Sequence, residues 1–431
     1  MAANLGKPAK MPLVSDRAAT ILFVACLFFL TSMGALLFGI GVGKFEIWPY
    51  APLRVMYAHF TSFIHTGKWA PEARIIPRPE GASGARVAVH QPDALEHGYR
   101  AIMGWDDGAN EHTIWLLDAS GQQVHSWTVD YSTLDVDAGD EGDTPHGMKV
   151  LEDGSVLVNF DGGQRLARLD ACGKPIWIKK DGIYHHSIER AEDGSFWTWR
   201  ADGSAYSADQ HLLNFDPATG ATLKEYSLLD DFIQGSPAAA VVFGLPADFQ
   251  RDESQGDIFH PNDIEPLHSA LADRFPDFRP GDLLVSLKAS NLIAVLDPVQ
   301  KKLKWWSHGP WRLQHDPDFG TDGKIWVYNN QTAVDQSNII AVDPRTRDIE
   351  SAYSNQKSRF FSETMGKHQL LPSGNLLIVV PDEGRVLETT RSGDLVFEFN
   401  NLFDDGYNAH VQNAVWLPEG FFQSLPSCPR K

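Results

Sequence analysis

From residue 98 onward, apolar and polar residues alternate with a period of two, in short runs broken by Asp, Gly and Pro. This is the pattern of half-buried antiparallel strands joined by tight turns. One unit recurs: an apolar strand ending in Asp, a turn that usually holds Gly, and a strand that usually ends on an aromatic. It reads IWLLDASGQQVHSW (114–127), RLARLDACGKPIW (165–177), HLLNFDPATGATLKEY (211–226) and LIAVLDPVQKKLKWW (292–306). It returns as NIIAVDPRTRDIESAY (338–353) and, with Thr in place of Asp, as RVLETTRSGDLVFEF (385–399). Asp-Pro and Ser-Gly are hairpin-turn chemistry. The recurring Asp118, Asp170, Asp216, Asp297 and Asp343 are therefore read as turn caps, not as catalytic acids.

A second unit precedes most copies: a His, a short apolar strand, an Asp-Gly or Ser-Gly turn, and another strand. Examples are HGMKVLEDGSVLVNF (146–160), HSIERAEDGSFWTW (186–199), HDPDFGTDGKIWVY (315–328) and HQLLPSGNLLIVV (368–380). Together the units give four strands per repeat, and six copies of the first hairpin motif set six repeats. The chain is thus predicted to be all-β, a six-bladed β-propeller over residues 98–423 with an N-terminal transmembrane helix. A β-sandwich does not explain six copies of one unit, and a β-helix repeat is shorter. The stretch HVQNAVWLPEGFFQ (410–423) is expected to add a strand that closes the ring, since closure removes exposed edges. Residues 424–431 follow as a tail. Residues 229–257 and 266–280 interrupt the pattern and read as insertions.

The N-terminal part has a different pattern. Residues 18–43, AATILFVACLFFLTSMGALLFGIGVG, carry no charge and exceed the ~20 residues needed to cross a bilayer. Lys7, Lys10 and Arg17 precede them, against Asp16 alone, which places residues 1–17 in the cytoplasm by the positive-inside rule. Trp48 and Tyr50 follow as interfacial aromatics. A cleaved signal peptide is the rival reading, with a shorter apolar core and a small-residue cleavage site expected of it. On either reading the head is exported, to the periplasm or another extracytoplasmic space. Residues 44–97 carry Pro49, Pro52, Pro71, Pro77 and Pro79 and read as a connector, with a short helix expected near 57–64.

Charge narrows the partners. The net charge of -19 argues against nucleic acid or an anionic lipid surface as the main partner. A small anionic substrate is still accessible to a local cluster of His, Lys and Arg. Of three cysteines, Cys26 lies in the apolar run, while Cys172 and Cys428 leave a disulfide or two free thiols open.

The histidines are ordered. His146, His186, His315 and His368 each open the first hairpin of a repeat, and His260 opens another. In a propeller these strands line the axis, so their imidazoles converge. Imidazole serves as acid, base, nucleophile or metal ligand near neutral pH. Asn262, two residues after His260, is expected on the same strand face, offering donors to an anionic oxygen. Lys288, in the next strand, adds positive charge. Such a set suits transfer of a charged group through a covalent histidine. His112, His125, His211 and His308 fall off the ring position and are expected at the surface. Asn330 could reach the channel but is read first as satisfying a turn, and Trp305 and Trp306 as packing between repeats.

The opening GYRAIMGW…IWLLDASGQQVHSW, the ordered series HHSI, HPND, QHDPDF…DGKIWVYNN, and the later HQLLPSGNLLIV…GRVLETTRSGDLVFEF resemble the bacterial arylsulfotransferases of the periplasmic, PAPS-independent type. The resemblance covers roughly residues 98–420. It implies a six-bladed propeller that moves a sulfuryl group from an aryl sulfate to a phenol through a sulfohistidine. By motif, His315 would be the nucleophile. His260 and Asn262 would bind the sulfuryl oxygens or the departing phenolate. His186 would be a further oxyanion donor or acid/base, with His185 as the alternative match. The chain departs from the family at Lys288, where SLKAS replaces an arginine-bearing strand; lysine keeps the charge and loses the planar two-point fork.

Two other classes compete. A non-catalytic, membrane-anchored propeller would act as a binding or assembly subunit of a membrane complex, because propellers host many unrelated roles. A metalloprotein would use the channel histidines as ligands. No HExxH, carboxylate-rich signature or Cys/His zinc spacing is read beside them, so no metal and no cofactor is assigned. A quinone-dependent dehydrogenase is set aside because its Trp-docking repeats are missing.

Overall fold

The computed structural model describes residues 16–45, 56, 60, 75–129, 134, 144–160, 165–202, 207–245, 249, 257–330, 336–351, 353, 357–404 and 406–428. The chain divides into two compact units, Met1–Glu72 and Ala73–Lys431. In the first, Asp16–Phe45 forms one helix, α1. Its Arg17–Val42 stretch is long and apolar enough to cross a membrane, which makes it a candidate anchor or signal sequence. Lys7, Lys10, Trp48, Tyr50 and, Phe60 excepted, the expected helix near 57–64 lie outside the described residues.

The second unit is almost entirely β. Among the described residues it contains six antiparallel sheets of four strands or more. The first orders Val411–Leu417, Tyr99–Asp106, Glu111–Leu117 and Gln123–Thr128. The second orders Pro145–Val150, Val156–Phe160, Leu166–Leu169 and Pro175–Lys179. Ile183–Arg190, Phe196–Ala201, Gln210–Phe215 and Thr222–Ser227 make the third. Pro261–Pro266, Leu283–Leu287, Leu292–Asp297 and Lys302–His308 make the fourth. In the fifth, His315–Phe319 leads Ile325–Asn329, Asn338–Val342 and Ile349–Ser351. In the sixth, Lys367–Leu370 leads Leu376–Val380, Arg385–Thr389 and Leu395–Asn400.

The leading strands contact one another in chain order, and the cycle closes from Lys367–Leu370 through Val411–Leu417 back to Pro145–Val150. Closure is made by pairing the last strand with an early one: Val411–Leu417 runs antiparallel to Tyr99–Asp106. Residues 75–97, read as connector, belong in part to the sheets. Val87–Val89 pairs with Leu395–Asn400 as a fifth strand of the sixth sheet, and Ile75–Pro77 pairs with Tyr407–Ala409. Their many prolines hid this, because Pro at an edge leaves the outer N–H side unused.

Apolar faces pack between neighbouring sheets. Trp199 and Leu212 of the third meet Ile264, Val285 and Leu292 of the fourth. Ile114 and Trp127 of the first meet Val156 and Val158 of the second. Tryptophans clamp one sheet to the next turn along: Trp127 Nε1 donates to Gly154 O, Trp177 Nε1 to Pro217 O and Trp305 Nε1 to Pro344 O. The indole thus buries its rings and still satisfies its N–H. Trp305 is buried as expected of packing, while Trp306 is 36% exposed. The turn aspartates cap as read; Asp118 Oδ1 accepts from Ser120 N and Gln122 N, and Asp170 Oδ1 from Cys172 N and Lys174 N. Cys172 and Cys428 are bonded, which ties the C-terminal tail to the second sheet.

Candidate active site

Five of the six leading strands are bulged where their polar residues reach the hub. Register shifts fall between Pro145 and Met148, His185 and Ile188, Pro261 and Asp263, His315 and Asp318, and Val411 and Asn413. A bulge re-aims a side chain that regular alternation would bury in a sheet face. Four residues here adopt the left-handed region: His186 (φ 60°), His260 (φ 45°), Asp316 (φ 49°) and Met365 (φ 61°). Each is a costly conformation for a residue with a Cβ, and such strain concentrates at functional sites. Gly147 permits the close approach of the second and third sheets; a Cβ there would lie 2.1 Å from His186 O.

The result is a cluster of rings. Centroids of His146 and His186 lie 4.3 Å apart, those of His185 and His186 5.0 Å, and those of His186 and His260 5.3 Å. His146, His186, Asn262, His315 and Gln412, with the Met365–Lys367 segment, surround a void of about 10 Å³, room for about one water. His260 and Asn262 both come to the hub, but not by simple alternation: His260 precedes its strand and the bulge follows it. Lys288 reaches Thr364 Oγ1 at 3.3 Å, on the segment that caps the void.

Hydrogen bonds assign the ring protons. His315 Nδ1 donates to Leu313 O at 2.9 Å and Asn330 Oδ1 at 2.8 Å. Asn330 is held in that orientation because its Nδ2 donates to the carbonyls of Ser362 and Met365. Nε2 of His315 therefore carries the lone pair, and the Met365 backbone N–H donates to it at 3.2 Å. Behind His186, Gln210 Nε2 donates to Ser207 O at 2.8 Å and turns its Oε1 to His185 Nε2 at 3.0 Å. His185 Nδ1 then accepts from His186 Nδ1 at 2.7 Å, which leaves Nε2 of His186 unprotonated. His185 is thus a support behind His186 rather than a lining residue. His260 Nδ1 donates to the Asp257 carboxylate. Asn262 Nδ2 donates to Gln314 O at 2.7 Å, while its buried Oδ1 has no hydrogen-bond partner.

Burial, and then the imidazoles of His146, His185 and their neighbours, push His186 well below the ordinary histidine range. Burial and then the Lys288 charge push His315 the same way, against the Asn330 hydrogen bond, which raises it. Both rings are neutral at neutral pH.

Some sequence expectations change. His368 does not join the cluster: its strand is the leading strand with no bulge, and its ring lies beside Asp316 and Asp318 at 3.0 and 3.4 Å. Asn330 is no turn residue but the partner of His315. His112 is buried, edge-on to Trp105, where the surface was expected; burial brings its pKa down to about 3. His308 is exposed, and His125 and His211 are half-buried. Asp257, Gln412 and the Met365–Lys367 segment escaped sequence reasoning. His146 was placed on the ring but given no role.

An antiparallel, propeller-like β head with a histidine-lined hub is the class that fold and site define. Residues 147–402 match the sequence model of the arylsulfotransferase (ASST) family, more than half of the chain, and the chain belongs to that family. No curated protein matches it. Among solved structures it is similar to a protein of unknown function from Bacteroides caccae, at 12% identity and a TM-score of 0.49, over 74% of this chain and 98% of that one. Virginiamycin B lyase from Staphylococcus aureus aligns at 17% identity and a TM-score of 0.35, over 60% of this chain and 70% of that one. The Dos1 propeller aligns at 10% identity and a TM-score of 0.39, over 74% of each chain.

Proposed function

We propose that this chain is a six-bladed propeller, held to the membrane by α1 with its N-terminus cytoplasmic and its head periplasmic, that transfers a sulfuryl group from an aryl sulfate to a phenol. The observation that carries the reading is the tautomer of His315, whose Nδ1–H is held by two acceptors, so that Nε2 carries the lone pair, which accepts from the Met365 N–H on the segment lining the void and is freed for attack when that segment moves. In the first half-reaction Nε2 attacks sulfur, the bond between sulfur and the aryl oxygen breaks, and the sulfuryl group stays on Nε2. The departing phenolate oxygen takes a proton from the imidazolium of His260, whose charge Asp257 offsets. In the second, the acceptor phenol gives its proton to the same imidazole and attacks sulfur, and the bond to Nε2 breaks. Lys288 and the remaining amide hydrogen of Asn262 meet the sulfuryl oxygens. His186 accepts a hydrogen bond or proton at Nε2 and is positioned by His185.

The size of the void favours a second reading, a non-catalytic binding or assembly subunit for a membrane partner. An aryl sulfate enters only if residues 362–367 move. Full-length protein in detergent, given 4-nitrophenyl sulfate and phenol, separates the two. Transfer is expected in the wild type and not in His315→Ala, with one SO₃ group on His315 by peptide mass spectrometry when the acceptor is omitted. No nitrophenol release by the wild type, at any phenol concentration, would leave the second reading standing.

A further inference from the structure

The hub holds a second group of ionisable side chains that sulfuryl transfer does not use. Five carboxylates, Glu189, Asp263, Glu265, Asp316 and Asp318, come together there. Lys149 pairs with Glu189, and Lys367 lies 2.6 Å from Asp316 and 3.3 Å from Asp263. Two ammonium groups therefore face five carboxylates, of which Asp263 and Asp316 are fully buried. Ionising a buried carboxylate such as Asp263 costs several kcal/mol unless a cation offsets it.

We propose that Asp316, Asp318 and His368, with Glu265 beside them, bind one divalent cation. Each of the three offers a ligand atom, and these atoms all lie within 4.8 Å of one another. That is the span across one ion bound at roughly 2.0–2.4 Å by each ligand. The second observation is His368 itself. Its side chain is 1% exposed, yet neither ring nitrogen makes a hydrogen bond. The carboxylates of Asp316 and Asp318 approach those nitrogens at 3.0 and 3.4 Å, off the N–H directions that a hydrogen bond needs. Such separations are ordinary between neighbouring ligands of one metal. Trp326 stacks on the imidazole at 6.4 Å with its plane 7° away, which fixes the ring.

An entry path exists. Glu265, Asp318 and His368 open on a cleft of about 250 Å³, while Asp316 lines the void beside His315. Glu265 sits on Pro261–Pro266, the aspartates on His315–Phe319 and His368 on Lys367–Leu370. One ion would thus bridge the leading strands of three successive sheets, one of which begins with His315. One imidazole with carboxylate oxygens is a mixed hard set that takes Mn²⁺, Zn²⁺ or Ca²⁺ rather than a soft thiophilic ion.

Full-length protein without a His tag is purified free of chelators, and its metal content is measured by plasma mass spectrometry. After EDTA stripping, thermal unfolding is followed during titration with Mn²⁺, Ca²⁺ and Zn²⁺. We expect close to one equivalent of divalent ion as purified, a fall in Tm on stripping and its recovery on reloading. Asp318→Asn and His368→Gln should each weaken recovery at least about tenfold in ion concentration. Asp209→Asn, in the more exposed Asp202, Asp209 and His211 group, should leave it unchanged. Should the hub variants not fold, pulsed electron paramagnetic resonance of Mn²⁺-loaded wild type still decides, since a bound imidazole imprints nitrogen modulation. Substoichiometric metal with a Tm indifferent to all three ions overturns the site. So does loss of the effect in Asp209→Asn, or Mn²⁺ without nitrogen modulation.

Discussion

Replacing Asn330 by Ala removes one of the two acceptors that hold the proton on His315 Nδ1, and both amide donations to the carbonyls of Ser362 and Met365. Asn330 is 0% exposed, so no bulk water takes its place. A buried donor or acceptor left without its partner costs about 1–3 kcal/mol. If that loss falls on the attacking tautomer, the barrier rises by a similar amount, roughly 10- to 100-fold in rate. Asn330 does not line the void, so kcat and kcat/KM should fall together while KM stays. The assay is nitrophenol release under single-turnover and steady-state conditions, which reports formation of the sulfohistidine directly. Nitrogen chemical shifts of ¹⁵N-labelled histidine give an independent readout: His315 should show a protonated Nδ1 in the wild type and a tautomer mixture in the variant. A variant with kcat within twofold of wild type and an unchanged tautomer would refute the assignment. A loss confined to Tm would make Asn330 a strut for residues 362–367 and nothing more.

Lys288→Ala should lower kcat/KM about 100-fold or more, the usual loss of one donor to a developing anion, while Lys288→Arg retains transfer; equal activity in Lys288→Ala would remove the ammonium from the mechanism. Cys428→Ser opens a cross-link between residues 256 apart in sequence and should cost about 2–5 kcal/mol, read as a fall in Tm that reducing agent reproduces in the wild type. His112 stays neutral in the folded chain down to about pH 3, while the unfolded chain binds its proton near pH 6.5. Stability from this group is therefore intact above pH 6.5 and falls by about 1.4 kcal/mol per unit below it. His112→Phe should escape that loss, so the denaturant stabilities of wild type and variant should diverge by about 2 kcal/mol between pH 7.5 and 5.0. Parallel profiles would count against a neutral, buried His112.

The repeat was legible because turns and strands have local rules. Asp118 and Asp170 cap their turns through backbone N–H groups within four residues, so the signal lies within each copy. Histidines at one place in the repeats brought His146, His186 and His260 into one expected cluster, which the structure shows, but the same rule placed His368 there wrongly. What sequence does not carry is the backbone conformation there. His186 reaches the void from a left-handed, bulged position, and His260 comes beside it from a left-handed position just ahead of its strand, where alternation alone would have sent them elsewhere. Asn330 and His315 are partners only because Ser362 and Met365 orient the amide from another strand connection. Acids such as Asp263 and Glu265 carry no local signal of their surroundings, since nothing nearby in sequence says that Lys149 and Lys367 arrive beside them. His112 shows the converse: an off-ring position says nothing about burial when Trp105 packs over the ring.

If a chain of net charge -19 handles an anion, as proposed, its selectivity has to be local, and the hub offers two different imidazole environments for it. His315 is neutral and faces a neutral amide. Sulfuryl transfer to its Nε2, with the Nδ1 proton retained, gives a ring that is cationic beside an anionic group. A carboxylate at position 330 would stabilise that charged ring and so slow its breakdown in the second half-reaction. In the proposed reaction the Asn330 amide would orient the ring without that stabilisation and so keep the intermediate reactive. His260 has the opposite arrangement, with the Asp257 carboxylate on its Nδ1, the environment suited to a ring that gains and loses protons rather than a sulfuryl group. The division predicts an asymmetry. Asn330→Asp, where it folds, should accumulate sulfohistidine, whereas Asp257→Asn should slow its formation most for donors whose phenol is a poor leaving group. Rapid-quench mass spectrometry of the His315 peptide with a series of substituted aryl sulfates measures both, and identical leaving-group dependence in wild type and Asp257→Asn would sink the assignment of His260 as the proton carrier.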